Sequence, residues 1–356
     1  MKKASFPEPR SICLLRLSAI GDTCHVVPLL RTLQQALPTA RFTWVIGRVE
    51  ARLMRLLPDV EFIEYDKRKG LSGLLALRRT LHGRRFDVLL NLQLALRASV
   101  VSLCIPAVRR LGFDRARARE GQWLVTNEKI APRTNEHVLD SFLGFADALG
   151  ITQRATDWSL PLPEAAVARA NSLIPNGQRT LIISPCASHP LRNWLPERYA
   201  AVADHAQRNQ GMQVLLCGGP SRVERDMVDA ILAHCRIGPV DLVGITTLPE
   251  MQALLARATA LLTPDSGPAH MATLAGTPVI GLYAATRAAR SGPYLSRQWT
   301  VDAYEQAALR FTGKSASQLP WTRKLEFPGV MELITVEQVL AKLDRLMADP
   351  EVETAA

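Results

Sequence analysis

Leu261-Leu262-Thr263-Pro264-Asp265-Ser266-Gly267-Pro268-Ala269-His270-Met271-Ala272-Thr273-Leu274-Ala275-Gly276-Thr277-Pro278-Val279-Ile280-Gly281-Leu282-Tyr283 reads as strand, helix, strand. The apolar run Leu261–Pro264 stops at Asp265, and Ser266 stands where a helix N-cap belongs. Pro268 fits a first helical turn, because the N–H it lacks has no intrahelical partner there. Ala269, Ala272 and Ala275 are small enough to let the helix lie close to a sheet, and Gly267 leaves room for a close ligand. Free N–H groups and the helix dipole at such a start favour a bound phosphate. An ordinary capped helix has the same residues, so the segment alone fits both readings.

The same alternation runs outward through the chain. Thr180–Ser184, Gln213–Cys217 and Pro278–Tyr283 read as further strands, with a helix over Leu195–Asn209 that carries Pro196 in its first turn. In the first half, Ser11–Leu17, Phe42–Ile46, Phe62–Tyr65 and Asp87–Leu92 read as strands, with helices over Val26–Leu37 and Leu74–Leu81. Strands alternating with helices predict an α/β fold with parallel, doubly wound sheets. The pattern restarts after a boundary near Pro161 to Asn176. The expected domains are 1–165 and 172–334, with the terminal helix 335–350 packing back on the first. That helix begins with a capping box, Thr335 and Gln338.

A length of 356 residues suits two domains of ordinary size. The formal net charge is +10, and the excess is uneven: residues 1–165 carry +9 and residues 166–356 carry +1. A basic half meets nucleic acid, an anionic membrane or an acidic substrate, or is simply a solvated face. The six cysteines include no C-x-x-C pair and several lie in apolar runs, which predicts a reducing compartment and no structural zinc. Met1–Arg10 is basic but lacks the apolar stretch of a secretory signal. No stretch reaches the roughly 20 apolar residues of a transmembrane helix. The expected location is the cytoplasm, at most peripheral on a membrane.

Ligands in open α/β sheets bind at the carboxyl ends of strands. Two further residues therefore stand out. Asp22, after Gly21 and the first strand, is a lone carboxylate that fits a general base; it equally fits a helix cap, which spacing alone favours. Arg192, after Thr180–Ser184, is a cation that could steady a departing diphosphate, or one surface arginine among many. The P-loop, G-x-G-x-x-G, H-E-x-x-H and D-x-D patterns do not occur. Catalysis would then rest on organic charges and helix dipoles, with no metal and no cofactor expected.

Taken together, these residues resemble the bacterial ADP-heptose:lipopolysaccharide heptosyltransferases, glycosyltransferase family 9. The resemblance rests on six blocks in order: Leu15-Arg16-Leu17-Ser18-Ala19-Ile20-Gly21-Asp22; Asn91-Leu92-Gln93 with Arg97 and Ser99; Gly112-Phe113-Asp114-Arg115 with Arg119-Glu120; Thr263–His270; Ala275–Tyr283; and Met331 with Ile334–Val339. It implies the GT-B fold, two Rossmann-like domains with parallel sheets facing across a cleft. It also implies an inverting, metal-independent transfer of heptose from ADP-heptose to the lipid A–Kdo inner core.

By position, the resemblance makes Asp22 the catalytic base. Arg192 takes the place of a basic residue, commonly Lys, on the donor phosphate. Ser188, Asp265, Ser266, Gly267 and His270 surround the donor. Lys67, Arg68, Lys69, Gln93, Arg97 and Arg119 are expected on the acceptor side, where the carboxylates and phosphates of Kdo–lipid A and of anionic inner-leaflet lipids would explain the basic half. Glu224 lies near the family's ribose-binding acid, though Arg222 competes for that register.

Ala284-Ala285-Thr286-Arg287-Ala288 departs from the family's Gly-Pro-Thr-Asp-Pro, which leaves room for another donor sugar or surface-glycan acceptor. A nucleic-acid-binding protein is disfavoured by 6% aromatic residues, too few to interleave with the arginines. An NAD-dependent oxidoreductase is disfavoured by the missing glycine fingerprint.

Overall fold

The computed structural model describes residues 8–350; most of the basic segment Met1–Arg10 lies outside them. The chain divides after Pro161 into two compact units.

The first unit runs β1 (Ser11–Leu15), α1 (Ile20–Ala36), β2 (Arg41–Gly47), α2 (Arg48–Met54), β3 (Val60–Tyr65), α3 (Gly70–Thr80), β4 (Phe86–Asn91), α4 (Leu96–Ser102), β5 (Ala107–Gly112), β6 (Glu128–Lys129) and α5 (Val138–Ala148). Its sheet is parallel, in the order β3-β2-β1-β4-β5-β6. Ile12–Leu15 is wholly buried, as a central parallel strand covered on both faces must be. Leu77 and Leu81 from α3 and its end join Ala98, Val101 and Ile105 from α4 and its end over Cys13, Leu15, Val45 and Leu89, so these two helices share one face of the sheet. α1 packs beside α5.

The second unit runs α6 (Glu164–Leu173), β7 (Thr180–Ile183), α7 (Pro196–Asn209), β8 (Gln213–Leu216), α8 (Arg222–His234), β9 (Val240–Asp241), α9 (Leu248–Arg257), β10 (Ala260–Pro264), α10 (Gly267–Ala275), β11 (Val279–Tyr283), α11 (Ala288–Ser291), β12 (Val301–Asp302), α12 (Tyr304–Thr312) and α13 (Val336–Met347). Its parallel sheet has the order β12-β11-β10-β7-β8-β9, the same winding as the first. Two such sheets in tandem are the GT-B class of α/β fold. Gly276, at φ 77°, ends α10 in the left-handed conformation and turns the chain into β11.

The terminal helix is not where the sequence reading put it. The apolar stripe Val339, Leu343 and Leu346 of α13 is buried in the second unit's own core, with Tyr199 and Trp299. Asp344 anchors the helix to α7 and its end, accepting from Gln210 Nε2 at 2.6 Å and meeting His205 Nε2 at 2.7 Å. A helix this amphipathic goes to the nearest apolar face, and that face belongs to the sheet it follows. α6 likewise packs on α9, so the linker ends before it, at the first residues of the expected Pro161–Asn176 range. α1 begins at Ile20, six residues before the expected start, and runs through Pro28.

Candidate active site

In a doubly wound sheet the binding crevice opens where the strand order reverses. In the first unit that point lies between β1 and β4, paired as far as Leu15 and Asn91. Asp22 follows β1 in the first turn of α1, and its carboxylate accepts the Ala19 N–H at 3.3 Å. It therefore does serve the helix start. The same carboxylate is ion-paired with Arg16, and its side chain keeps 38% of its surface exposed, so it stays open to solvent. Arg16 is the larger surprise. Its Nη1 donates to the Leu92 carbonyl at 2.7 Å and its guanidinium lies 5.5 Å from the Phe142 ring centroid. One side chain thus joins the ends of β1 and β4 and fixes the carboxylate.

Gln93, expected on the acceptor side, accepts the Leu17 N–H at 2.8 Å and so braces the same turn. Buried Gln122 donates to the Asn91 and Gln93 carbonyls at 2.9 and 3.1 Å. Lys67, Arg68 and Lys69 form an exposed 3-10 turn after β3, capped by Asp66, which also binds the Arg68 side chain. Exposed Arg97 lies in α4 after β4, and exposed Arg119 lies in the loop after β5. Glu120, next to it, accepts the Leu96 N–H at the start of α4 at 2.6 Å. All these positions are at the carboxyl edge of the sheet.

In the second unit the reversal lies between β7 and β10, paired at Ile183 and Leu262. Arg192 follows β7 in a 3-10 turn, Pro190–Arg192, and Asp265 follows β10. Arg192 is only 8% exposed. Its Nε and Nη2 donate to Glu326 Oε1 at 2.8 and 2.6 Å, and its Nη1 lies 3.5 Å from Asp265 Oδ2. A buried cation needs such partners. Burial pushes the Glu326 carboxyl up, but the Arg192 hydrogen bonds and charge outweigh it and hold the group below its ordinary value. The sequence reading missed Glu326, which lies 134 residues from Arg192 and carries no local signal.

Ser266 occupies the N-cap position of α10 but does not cap it. Its hydroxyl is hydrogen-bonded to Thr263 Oγ1 at 2.7 Å, and Thr263 donates on to the Ser184 carbonyl. The amides of the first turn are left for another acceptor, as an anion site requires. His270 is buried in the same helix, Gly267 is its first residue, and Ser188 is exposed in the loop ahead of Arg192. Two hydrogen bonds fasten the Arg192 turn from behind. Trp194 Nε1 donates to the Ile334 carbonyl at 3.0 Å and Arg198 to the Glu332 carbonyl at 2.9 Å.

Glu224 and Arg222 differ in their surroundings. The Glu224 carboxylate folds back on the Gly219 N–H at 2.7 Å, at the carboxyl end of β8. Arg222 keeps 93% of its side chain exposed and pairs with Asp226 one turn on. In the divergent loop Ala284–Ala288, the Arg287 guanidinium lies 4.4 Å from the Tyr304 ring centroid and 5.3 Å from that of Trp321, and it donates to the Leu319 carbonyl at 3.2 Å. Among the described residues, no group of three or more His, Cys, Asp or Glu could hold a metal ion.

The chain is similar to known proteins in sequence and in fold. Residues 74–319 match glycosyltransferase family 9 (heptosyltransferase). The lipopolysaccharide core heptosyltransferase OpsX of Haemophilus influenzae is 40% identical over 338 residues, covering 95% of this chain and 97% of that protein. A solved family 9 glycosyltransferase from Veillonella parvula superposes with a TM-score of 0.80 at 22% identity, over 95% of this chain and 97% of that one. Escherichia coli heptosyltransferase WaaC, solved with ADP, superposes with a TM-score of 0.73 at 18% identity, over 94% of this chain and 99% of that one. The chain belongs to glycosyltransferase family 9 and is a glycosyltransferase.

Proposed function

We propose that the protein transfers heptose from ADP-heptose to the lipid A–Kdo inner core of lipopolysaccharide, with inversion and without a metal. The observation that carries the donor half is buried Arg192 set beside the uncapped start of α10. A fixed cation beside the Gly267 and Ala269 amides, which the Ser266 side chain does not cap, forms a diphosphate site, and a relative of the same fold is solved with ADP. Ser188, Asp265, Ser266, Gly267 and His270 complete the donor site, and Glu224 takes the ribose hydroxyls.

The acceptor binds the first unit through Lys67, Arg68, Lys69, Gln93, Arg97 and Arg119. Asp22 removes the proton from an acceptor hydroxyl. The freed oxygen attacks the anomeric carbon from the face opposite the diphosphate, and the bond from that carbon to the phosphate oxygen breaks. The electron pair leaves with ADP, whose charge Arg192 and the α10 dipole stabilise. The acceptor is lipid-borne, so the enzyme works peripherally on the cytoplasmic face of the inner membrane and binds no nucleic acid.

The test is incubation with ADP-heptose and a panel of truncated core acceptors, read by mass spectrometry, with ADP-, UDP- and GDP-sugars as competitors. One heptose should be added to one acceptor, only ADP-sugars should compete, and EDTA should leave the rate unchanged. The divergent Ala284–Ala288 loop favours a second reading, a family 9 enzyme for another sugar. Transfer from a UDP- or GDP-sugar, or no transfer from ADP-heptose to any acceptor, would establish that reading instead.

A further inference from the structure

α3 and α4 cover one face of the first sheet, and their outer surfaces are unusual. On α3, Leu71 is 80% exposed and Leu75 is 55% exposed. They lie one helical turn apart, in line with exposed Arg78, Arg79 and His82. On α4, Leu96 and Leu103 are 58% and 67% exposed, with Val100 between them on the same stripe. A soluble surface seldom gathers five large aliphatic side chains on two helices that share a sheet face.

The surroundings are as one-sided as the stripe. Residues 67–85 contain seven Lys and Arg and no Asp or Glu, and Leu96–Ile105 contains Arg97 and no acid. Leu75, Arg78, Arg79 and His82 line a shallow recess at the surface. Aliphatic tips among long basic side chains suit one environment best: the boundary where acyl chains meet anionic headgroups. A protein partner with an apolar patch would not need the cations, and an acidic soluble ligand would not need the leucines.

We propose that the outer face of α3 and α4 is a membrane-docking surface that seats Leu71, Leu75, Leu96 and Leu103 in an anionic bilayer while the flanking Lys and Arg hold its headgroups. This rests on the reading that the acceptor is lipid-borne and adds the surface by which the enzyme reaches it. No helix among the described residues is long and apolar enough to cross a membrane, so attachment falls to surfaces of this kind.

The experiment is cosedimentation of the full chain with phosphatidylcholine vesicles and with vesicles carrying about 30 mol% phosphatidylglycerol. Wild type should bind the anionic vesicles only, and less as salt rises. Leu71→Ser/Leu75→Ser/Leu96→Ser/Leu103→Ser should weaken that binding roughly tenfold or more, and each helix's own pair should weaken it by an intermediate amount. All variants should match wild type in transfer to a deacylated, water-soluble acceptor, which reports both folding and the heptosyl reading independently of docking. Undiminished vesicle binding by the leucine variants, or no vesicle binding by wild type, overturns the docking surface. So does self-association of wild type that the variants lose, without any vesicle binding; that result assigns the face to a second copy of the chain.

Discussion

Asp22 is held by Arg16, and the cost of losing either is calculable in kind. Asp22→Asn keeps the shape and the Ala19 contact but cannot take a proton, so kcat should fall by about 10²- to 10⁴-fold with the donor Kd unchanged. Arg16→Leu should also lower kcat more than it raises either KM, because the carboxylate loses its partner and the Leu92 carbonyl loses its donor. Arg16→Lys should recover part of the loss, since one ammonium is a poorer bridge between two acceptors than a planar guanidinium. Steady-state kinetics on variants with wild-type circular dichroism decide it; unchanged kcat in Arg16→Leu removes Arg16 from the account. Glu326 makes a pH-dependent contribution. Its folded pKa lies below the ordinary value of about 4.3, so the unfolded chain takes up its proton first. The stabilisation is complete above that value and is lost as pH falls through the depressed folded one. Glu326→Gln should therefore cost about 1–2 kcal/mol near neutral pH, with Asp265 still beside Arg192. The gap in Tm between wild type and variant should close below about pH 4, and a gap that does not change with pH contradicts the pairing.

Helix starts differ here in whether the N-cap side chain accepts an amide of the first turn, as on α8, α9 and α13, or does not, as on α10. The Thr335 hydroxyl caps α13 by accepting the Gln338 N–H. Thr335→Ala should cost about 1 kcal/mol, or roughly 2–4 °C in Tm. Ser266 holds the equivalent position on α10 but bonds Thr263 instead, so the Tm loss of Ser266→Ala should largely disappear in a Thr263→Val background. A loss that persists undiminished in that background would mean that the Ser266 hydroxyl caps α10 after all. The same contrast explains what the sequence could tell. Leu261–Tyr283 was legible because two fully buried strands read as apolar runs, and the helix between them carries its own start and stop residues. The position of Ser266 was legible but its bond was not, because Thr263 competes for the hydroxyl across a turn. β6, β9 and β12 are two residues long and have no periodicity to detect. β5 was hidden by Arg109 and Arg110, whose charges are satisfied by Glu128 and by backbone carbonyls that only the folded sheet supplies. The docking of α13 was misread because an apolar stripe shows that a helix is buried, not against which sheet.

Across the whole molecule the charge excess belongs to the first unit and the proposed diphosphate site to the second, so the two substrates should respond to different perturbations. Lys67→Glu/Arg68→Glu/Lys69→Glu should raise the KM of an acidic acceptor severalfold and leave donor affinity unchanged, with the difference shrinking as salt rises. An unchanged acceptor KM would take this turn out of the acceptor site. The way the second unit is fastened together also bears on synthesis. Arg192 is locked by Glu326, and its turn is pinned by the carbonyls of Glu332 and Ile334, residues made more than a hundred positions later. A ribosome has finished both sheets' main strands and the open α10 start well before it delivers those clamps. Until then the Arg192 side chain lacks the Glu326 carboxylate that fixes it in the finished protein. The proposed donor site is thus fastened only once residues 326–334 have been made.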